Sequence, residues 1–269
     1  MMIEQGRASD WDALKRIWLR SFSDGPEFWD WLRGEVWQPE RTLVLREGGR
    51  VVSCLLLLPC VFSGTLRAQY VYAVATDPEF RGGGRMAGVL REAERRGRAQ
   101  GLDLSVLLTE EDSLQGYYAR FGYLPLCVAA ERPLPSGAGC GARRAMREDD
   151  LPAVGALYEE ACRQFGRPCA LRDQTDLRRE LALYTPGAEV CERDGALSGY
   201  CFYDERGVAE AAGPDGAALA AQCAPEARVC LTVPARGEHG KPLGCALALS
   251  ERGARALADG PVYLNMMFN

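Results

Sequence analysis

The sequence has almost no histidine and no closely spaced pair of cysteines, and both absences argue against whole classes of site. A single histidine, His239, occurs among the 269 residues, so neither a zinc centre built on several histidines nor a Ser-His-Asp triad is expected. There are eleven cysteines, but none form a Cys-x-x-Cys pair, and several lie inside apolar stretches, such as Cys54, Cys201 and Cys230. We therefore predict buried, reduced thiols and no metal site.

A long apolar run and an excess of positive charge are missing as well. The longest apolar stretch, Cys54 to Phe62, contains Pro59 and is too short to cross a bilayer. The polar segment Met1 to Asp10 does not resemble a secretory signal. The net charge of −5 and the isoelectric point near 5.2 argue against nucleic acid as a partner. We expect a cytoplasmic protein that binds neither membranes nor nucleic acid.

One stretch, Val71 to Gly101, carries the clearest chemical signal. It begins as an apolar strand that Asp77 and Pro78 end, and it continues into the glycine-rich turn Arg81–Arg85 and a long amphipathic helix. A glycine-rich turn at the start of a helix exposes several backbone N–H groups, with the positive end of the helix dipole behind them. The pattern therefore predicts a cradle for a phosphate or pyrophosphate, with Arg81 and Arg85 adding positive charge at its rim.

Two motifs in the first half resemble those of the GNAT N-acetyltransferases. The run Arg81-Gly82-Gly83-Gly84-Arg85-Met86 is similar to the acyl-CoA-binding pattern Arg/Gln-x-x-Gly-x-Gly/Ala, although Met86 stands where the family has a small residue. Its side chain would have to point into the sheet while its N–H faces the phosphate. The segment Tyr117–Tyr123 is similar to the family's Tyr-x-x-x-Gly-Phe/Tyr. The expected element order over residues 2–127, β-α-α-β-β-β-α-β-α-β, matches the GNAT fold.

The second half repeats part of this organisation without the glycine motif. A Pro- and Gly-rich segment at residues 131–142 is typical of a linker, and Arg144–Leu151 then echoes the opening Ile3–Leu14 as a short strand followed by an acidic helix cap. We predict an α/β chain (mixed α+β sheet) with a catalytic GNAT domain at 1–130 and a degenerate GNAT-like domain at 143–269. This tandem layout resembles the Eis-type acetyltransferases without their C-terminal sterol-carrier-like domain.

The resemblance implies roles for specific residues, with acetyl-CoA as cosubstrate. Tyr118 would be the general acid, with Tyr117 as an alternative. The Eis-type resemblance implies that the terminal carboxylate of Asn269 is the base, and a water molecule is the alternative. Trp29 and Trp37 would line the substrate cleft, unless they belong to the core. The cofactor-binding residues would be Val74, Ala75, Thr76, Arg81, Gly82, Gly83, Gly84, Arg85, Met86, Ala87, Ser113 and Leu114.

The predicted reaction is direct transfer of an acetyl group to a primary amine of a small molecule or peptide, with aminoglycoside-like, polyamine or lysine amines as candidates. Two rival functions remain. Gly82-x-Gly84-x-x-Ala87 with Asp103 formally fits a dinucleotide fingerprint, but six residues separate the strand from the turn. The other rival is a non-catalytic GNAT-fold protein that binds acyl-CoA. Self-association is left open.

Overall fold

The computed structural model describes residues 2–109, 112–137 and 139–265, and its contacts divide the chain into two compact units. The first unit comprises the residues up to 124 together with 244–259, and the second comprises 125–243 together with the residues from 260 onward. The predicted α/β class is confirmed for both units. All eleven cysteines lie in the described part of the chain and carry free thiols, and nine of them are buried.

The first unit is an antiparallel sheet that becomes parallel at one strand pair. Its strands pair in the order β1-β2-β3-β4-β5, with β4 and β5 parallel and the other pairs antiparallel. The long helix between β4 and β5 makes that parallel crossover possible. The elements are β1 (Met2–Gln5), α1 (Trp11–Leu19), α2 (Pro26–Glu35), β2 (Thr42–Glu47), β3 (Arg50–Phe62), β4 (Leu66–Thr76), α3 (Arg85–Ala99), β5 (Leu104–Leu108) and α4 (Asp112–Ala119).

The second unit repeats this pattern of pairing. Strands β7, β8, β9 and β10 are antiparallel neighbours in that order, and β10 is parallel to β11 across a helix. The elements are β6 (Leu124–Pro133), β7 (Ala142–Ala145), α5 (Leu151–Phe165), α6 (Gln174–Tyr184), β8 (Ala188–Arg193), β9 (Ala196–Asp204), β10 (Gly207–Ala212), α7 (Gly216–Cys223) and β11 (Val229–Thr232).

In each unit the strand beside the fifth strand comes from a distant part of the chain. Strand β12 (Lys241–Ala248) pairs antiparallel with β5 from Gly244 onward, and helix α8 (Glu251–Ala258) follows it in the first unit. Strand β6, which follows α4 in sequence, pairs antiparallel with β11 and parallel with β13 (Val262–Tyr263). The sequence division at 143–269 therefore differs from the structural one, because residues 244–259 pack with the first unit. The predicted linker also begins inside β6.

The two units open with the same local ion-pair arrangement. The Asp10 carboxylate accepts the backbone N–H of Arg7 at 2.8 Å and the guanidinium of Arg46 at 2.6 Å. In the second unit the Asp150 carboxylate accepts the backbone N–H of Arg147 at 2.8 Å and the guanidinium of Arg144 at 2.7 and 2.8 Å. Asp10 thus ties the start of α1 to β2, and Asp150 ties the start of α5 to β7. Among the described residues, no helix has the length and apolar character needed to span a membrane.

A fully buried ion-pair network lies in the core of the second unit. Arg172 donates both terminal nitrogens to Glu210, each at 2.6 Å, and one of them to the carbonyl of Asn265 at 2.7 Å. The hydroxyl of Tyr200 also donates to Glu210 at 2.8 Å, and the Arg172 guanidinium lies 4.2 Å from the centre of the Tyr158 ring. Because its charges are paired and bonded, this network can be buried without a prohibitive desolvation cost.

Glu180 lies beside this network without a hydrogen-bond partner of its own among the described residues. Its Oε1 atom lies 3.4 Å from Nε of Arg172, and neither of its carboxylate oxygens accepts a hydrogen bond. Burial raises the pKa of Glu180 to about 8, against a smaller lowering effect of the Arg172 charge. The side chain is therefore protonated at neutral pH in the folded protein.

We predict that Glu180→Gln flattens the pH profile of stability. The folded protein keeps a proton on Glu180 between pH 4.5 and about 8, whereas the unfolded chain has released it, so stability falls as the pH rises through this window. Glutamine cannot titrate, and the variant should lose less stability over this range, by about 1 kcal/mol per pH unit. Urea denaturation from pH 5 to 8 measures this difference. The control is Glu160→Gln, because Glu160 on α5 is exposed and pairs with Arg163. The pH profile of stability of this variant should follow that of the wild type. Parallel profiles for Glu180→Gln and wild type would contradict the prediction.

Candidate functional site

Strands β4 and β5 separate towards their carboxyl ends. Their parallel pairing runs from Ala68–Leu104 to Tyr70–Val106 and, within the described residues, stops there, although β4 continues to Thr76. A bulge shifts the register of β4 against β3 between Cys54 and Leu56. The backbone groups of β4 beyond Tyr70 therefore lack a strand neighbour on the β5 side, and a ligand with amide groups can pair with them. These are the residues Val74, Ala75 and Thr76 that the sequence nominated.

Ala73 adopts a backbone conformation that is rare for a residue with a side chain. Its φ angle is +50°, in the left-handed region, and it falls within the bulge. The buried indole Nε1 of Trp18 donates a hydrogen bond to the Ala73 carbonyl at 3.0 Å. The core of the first unit thus holds the bulge in place, and with it the opening between β4 and β5.

The turn that follows β4 exposes backbone rather than side chains. Gly82, Gly83 and Gly84 have φ angles of +83°, +62° and +73°, which glycine adopts without steric cost. A side chain added at Gly82 or Gly84 would meet no atom within 4 Å, so the turn faces open space. Helix α3 begins directly after Gly84 without a side-chain cap, which leaves the N–H groups of its first turn available. This geometry is compatible with the anion cradle that the sequence predicts.

Ion pairs of Asp77 fix the start of the turn that follows β4. Asp77 is fully buried and accepts hydrogen bonds from Arg20 at 2.8 Å, from Arg50 at 3.2 Å and from the backbone N–H of Glu79 at 3.3 Å. The sequence had indicated Asp77 only as the end of a strand. Its role as an anchor depends on Arg20, which directly follows α1, and on Arg50 at the start of β3, and no local pattern reveals it.

The two arginines of the motif have different roles in the structure. Arg85 donates to both carboxylate oxygens of Glu47, at 2.9 and 3.0 Å, and to the Phe80 carbonyl at 3.0 Å. The Arg85 guanidinium lowers the pKa of Glu47, and the Glu47 carboxylate neutralises the positive charge of Arg85. The expectation that Arg85 offers a free charge at the rim of the turn is therefore corrected. Arg81 is exposed and contacts only the Thr76 carbonyl and the Ser21 hydroxyl among the described residues. It keeps its charge available.

The remaining nominated cofactor residues lie around the same turn and helix. The side chain of Met86 is half-buried and packs against the core of the first unit, as its departure from the motif required. Ala87 is half-buried in the first turn of α3. Ser113 and Leu114 are exposed at the start of α4. The Arg81 side chain links the turn to the end of β4 through the Thr76 carbonyl, while Ser113 and Leu114 belong to a second helix.

Tyr118, the nominated general acid, is a buried phenol. Its ring is buried against Tyr117 and Tyr123, with ring centres 5.5 and 6.0 Å away, and its hydroxyl makes no hydrogen bond to any described residue. Burial raises the pKa of Tyr118 far above its usual value. The phenol therefore stays protonated well beyond neutral pH.

The two nominated tryptophans differ in burial. Trp29 is 1% exposed and stacks on Trp18 at 5.0 Å, so it belongs to the core and is not a lining residue. Trp37 is half-buried, and its indole donates to the Thr42 hydroxyl at 3.0 Å. Its place in a substrate cleft stays a prediction. Asn269, the nominated base, lies outside the described residues.

Comparison with known proteins finds one matching family model and several similar structures. Residues 3–126 match a family model described as an acetyltransferase (GNAT) domain. No curated protein sequence matches the chain. A conserved protein of unknown function from Enterococcus faecalis, described as a probable N-acyltransferase, has a TM-score of 0.70 at 14% identity, over 92% of this chain and 72% of that one.

Two further structures show the same likeness. A GCN5-related N-acetyltransferase from Anabaena variabilis has a TM-score of 0.67 at 14% identity, over 94% of this chain and 74% of that one. Eis1 from Mycobacterium abscessus has a TM-score of 0.62 at 14% identity, over 93% of this chain and 74% of that one. At such identities the likeness shows a common fold.

We predict that Asp77→Asn destabilises the first unit, because the amide cannot accept from two guanidinium groups as the carboxylate does. Loss of the buried charge should lower the free energy of unfolding by about 2 kcal/mol. Urea denaturation measures the effect. The matched control is Glu79→Gln, since Glu79 is exposed in the same turn and also lies near Arg20 and Arg50. If both variants unfold at the same urea concentration as the wild type, Asp77 does not anchor the turn.

Proposed function

We propose that the chain is an N-acetyltransferase that transfers the acetyl group of acetyl-CoA directly to a primary amine of a small molecule or peptide. The observation that carries this proposal is the combination in one unit of diverging strands β4 and β5 with an uncapped helix preceded by three left-handed glycines. The match of residues 3–126 to the acetyltransferase (GNAT) domain model supports it.

Each part of the cosubstrate has a chemical counterpart in the first unit. The N–H groups of the turn from Gly82 to Ala87 suit the pyrophosphate, and Arg81 adds an unpaired positive charge there. The backbone of Val74 to Thr76 suits the amides of the pantetheine arm, because its hydrogen-bonding groups have no strand partner on that side. The thioester would then follow the arm into the opening between the strands.

Direct transfer requires one proton to leave the amine and one to reach sulfur. The neutral amine nitrogen attacks the thioester carbonyl, the carbon–sulfur bond breaks, and the leaving thiolate takes the proton of the Tyr118 hydroxyl. The amine proton passes to a base, for which the Asn269 carboxylate and a water molecule both remain proposals. Because burial raises the pKa of Tyr118, the acid stays protonated throughout the neutral range.

We propose further that the second unit is a GNAT-like repeat that has lost its cofactor site. Its strand pairings repeat those of the first unit, which supports the repeat. The turn before α7 is short and closed. A side chain at Gly213 would meet the Ser198 carbonyl at 2.6 Å, and Asp215 is bound by Arg193 at 2.8 and 2.9 Å. A carboxylate at the helix start leaves no place for a phosphate.

A cytoplasmic location stays a prediction.

The alternative function is an acyl-CoA-binding protein without turnover. It shares the same cosubstrate site and differs only in chemistry, so the assay below separates the two. Purified protein would be incubated with acetyl-CoA and a panel of polyamines, an aminoglycoside and a lysine peptide. Mass spectrometry would detect acetylated products, since the eleven free thiols of the chain would disturb a thiol reagent. Binding without any acetylated product would favour the alternative.

We predict that Tyr118→Phe lowers kcat about a hundredfold, because the thiolate loses its proton donor. The affinity for acetyl-CoA should stay the same, since the hydroxyl acts only as the sulfur leaves. Steady-state kinetics and calorimetry measure the two quantities. Tyr117→Phe distinguishes the neighbouring phenol: if this variant loses kcat and Tyr118→Phe does not, the acid is Tyr117 and the assignment is wrong.

A further inference from the structure

Helix α3 carries five arginines, and one of them is left without an acidic partner. Arg85 binds Glu47, Arg95 and Arg96 bind Glu92, and Arg98 binds Glu94. Arg91 forms no ion pair with any described carboxylate. Its guanidinium instead lies 5.9 Å from the centre of the Phe121 ring, over its face. An unpaired guanidinium leaves a net positive charge at this point of the helix.

A second unpaired guanidinium lies on the neighbouring aromatic ring. Arg120 is exposed, and its guanidinium lies 4.6 Å from the centre of the Tyr117 ring, again without a described carboxylate partner. The Tyr117 and Phe121 rings contact one another, with centres 5.3 Å apart. The two arginines are therefore held by one aromatic pair, which restricts their side chains before any ligand arrives.

The two guanidinium groups lie over neighbouring rings and so bring two positive charges to one small area. Burial raises the pKa of Tyr117, and the positive charges of Arg120 and Arg91 both lower it. Two guanidinium groups held in this way form a set suited to a phosphate monoester, which carries nearly two negative charges at neutral pH.

This cluster lies behind the glycine turn along α3. Arg91 is seven residues after Gly84 and four after Ala87, so it projects from the same face of the helix as the uncapped first turn. The helical rise puts Arg91 about 9 Å beyond the start of α3. A ligand with its pyrophosphate at the turn and a further phosphate one sugar away would span this interval.

We propose that Arg91 and Arg120 bind the 3′-phosphate of the ADP moiety of acetyl-CoA and so select CoA over its dephosphorylated form. The inference rests on the proposed function, because it takes the glycine turn as the pyrophosphate site. Tyr117 and Phe121 are positioning residues that hold the two arginines. The chemistry at the thioester is untouched, so the pair determines the affinity for the cosubstrate and not the rate of transfer once it is bound.

The test compares CoA with 3′-dephospho-CoA by calorimetry on the full chain. The wild type should bind CoA at least about tenfold more tightly, the effect of one charge-assisted contact. Arg91→Gln and Arg120→Gln should each reduce this preference, and the double variant should abolish it by weakening CoA binding alone. The matched control is Arg95→Gln, which removes the same charge from an exposed position on the same helix and should keep the preference.

The outcomes separate this inference from the proposed function. Equal affinity of the wild type for the two ligands, or an unchanged preference in the double variant, would overturn the 3′-phosphate assignment and leave the acetyl-CoA site intact. If neither ligand binds to the wild type, the proposed function fails and the assignment with it. An unchanged affinity of the double variant for dephospho-CoA shows that the substitutions have not disturbed the fold, and a loss there equal to the loss for CoA would overturn the assignment.

Discussion

The separation of β4 from β5 is the constraint on which the candidate site depends. Paired parallel strands satisfy one another's backbone groups, and a pair that opens must leave some of them to water or to a ligand. The bulge at Ala73 makes this opening permanent, because the buried Trp18 indole bonds to the carbonyl that the bulge turns away from the ladder. The first unit thus holds a strand edge with unpaired backbone hydrogen-bonding groups in a fixed place, as a preorganised ligand site requires.

The charged residues around the turn after β4 fall into two groups: some hold the loop in place, and others are left for a ligand. Three left-handed glycines give the loop a bare backbone but no packing of their own, so the loop depends on ion pairs on either side of it. Asp77 fixes its entrance through Arg20 and Arg50, and Arg85 fixes its exit through Glu47. The charges left over, on Arg81, Arg91 and Arg120, are those that a ligand with several phosphates can use.

The sequence predicted what is local in this fold and missed what is distant. The glycine turn and helix α3 follow from residues within one short stretch, and the helix that carries Tyr118 follows from a second one. The pairing of Arg85 with Glu47 joins residues 38 positions apart, and the burial of Trp29 depends on Trp18. The contribution of β12 and α8 to the first unit joins residues far apart along the chain. The apolar run before Ser250 was a usable signal for β12, but nothing local indicates its partner.

We propose that the first unit holds a working acyl-CoA site and that the second unit holds none. Calorimetric titration of the purified chain with acetyl-CoA, with NAD as the control ligand, measures the number of sites. We expect micromolar binding at one site per chain, lost when valine replaces Gly84, whose φ angle of +73° strains a branched side chain. Two sites per chain would contradict the degenerate second unit. Binding of NAD in place of acetyl-CoA, or no binding at all, would contradict the acetyltransferase assignment itself.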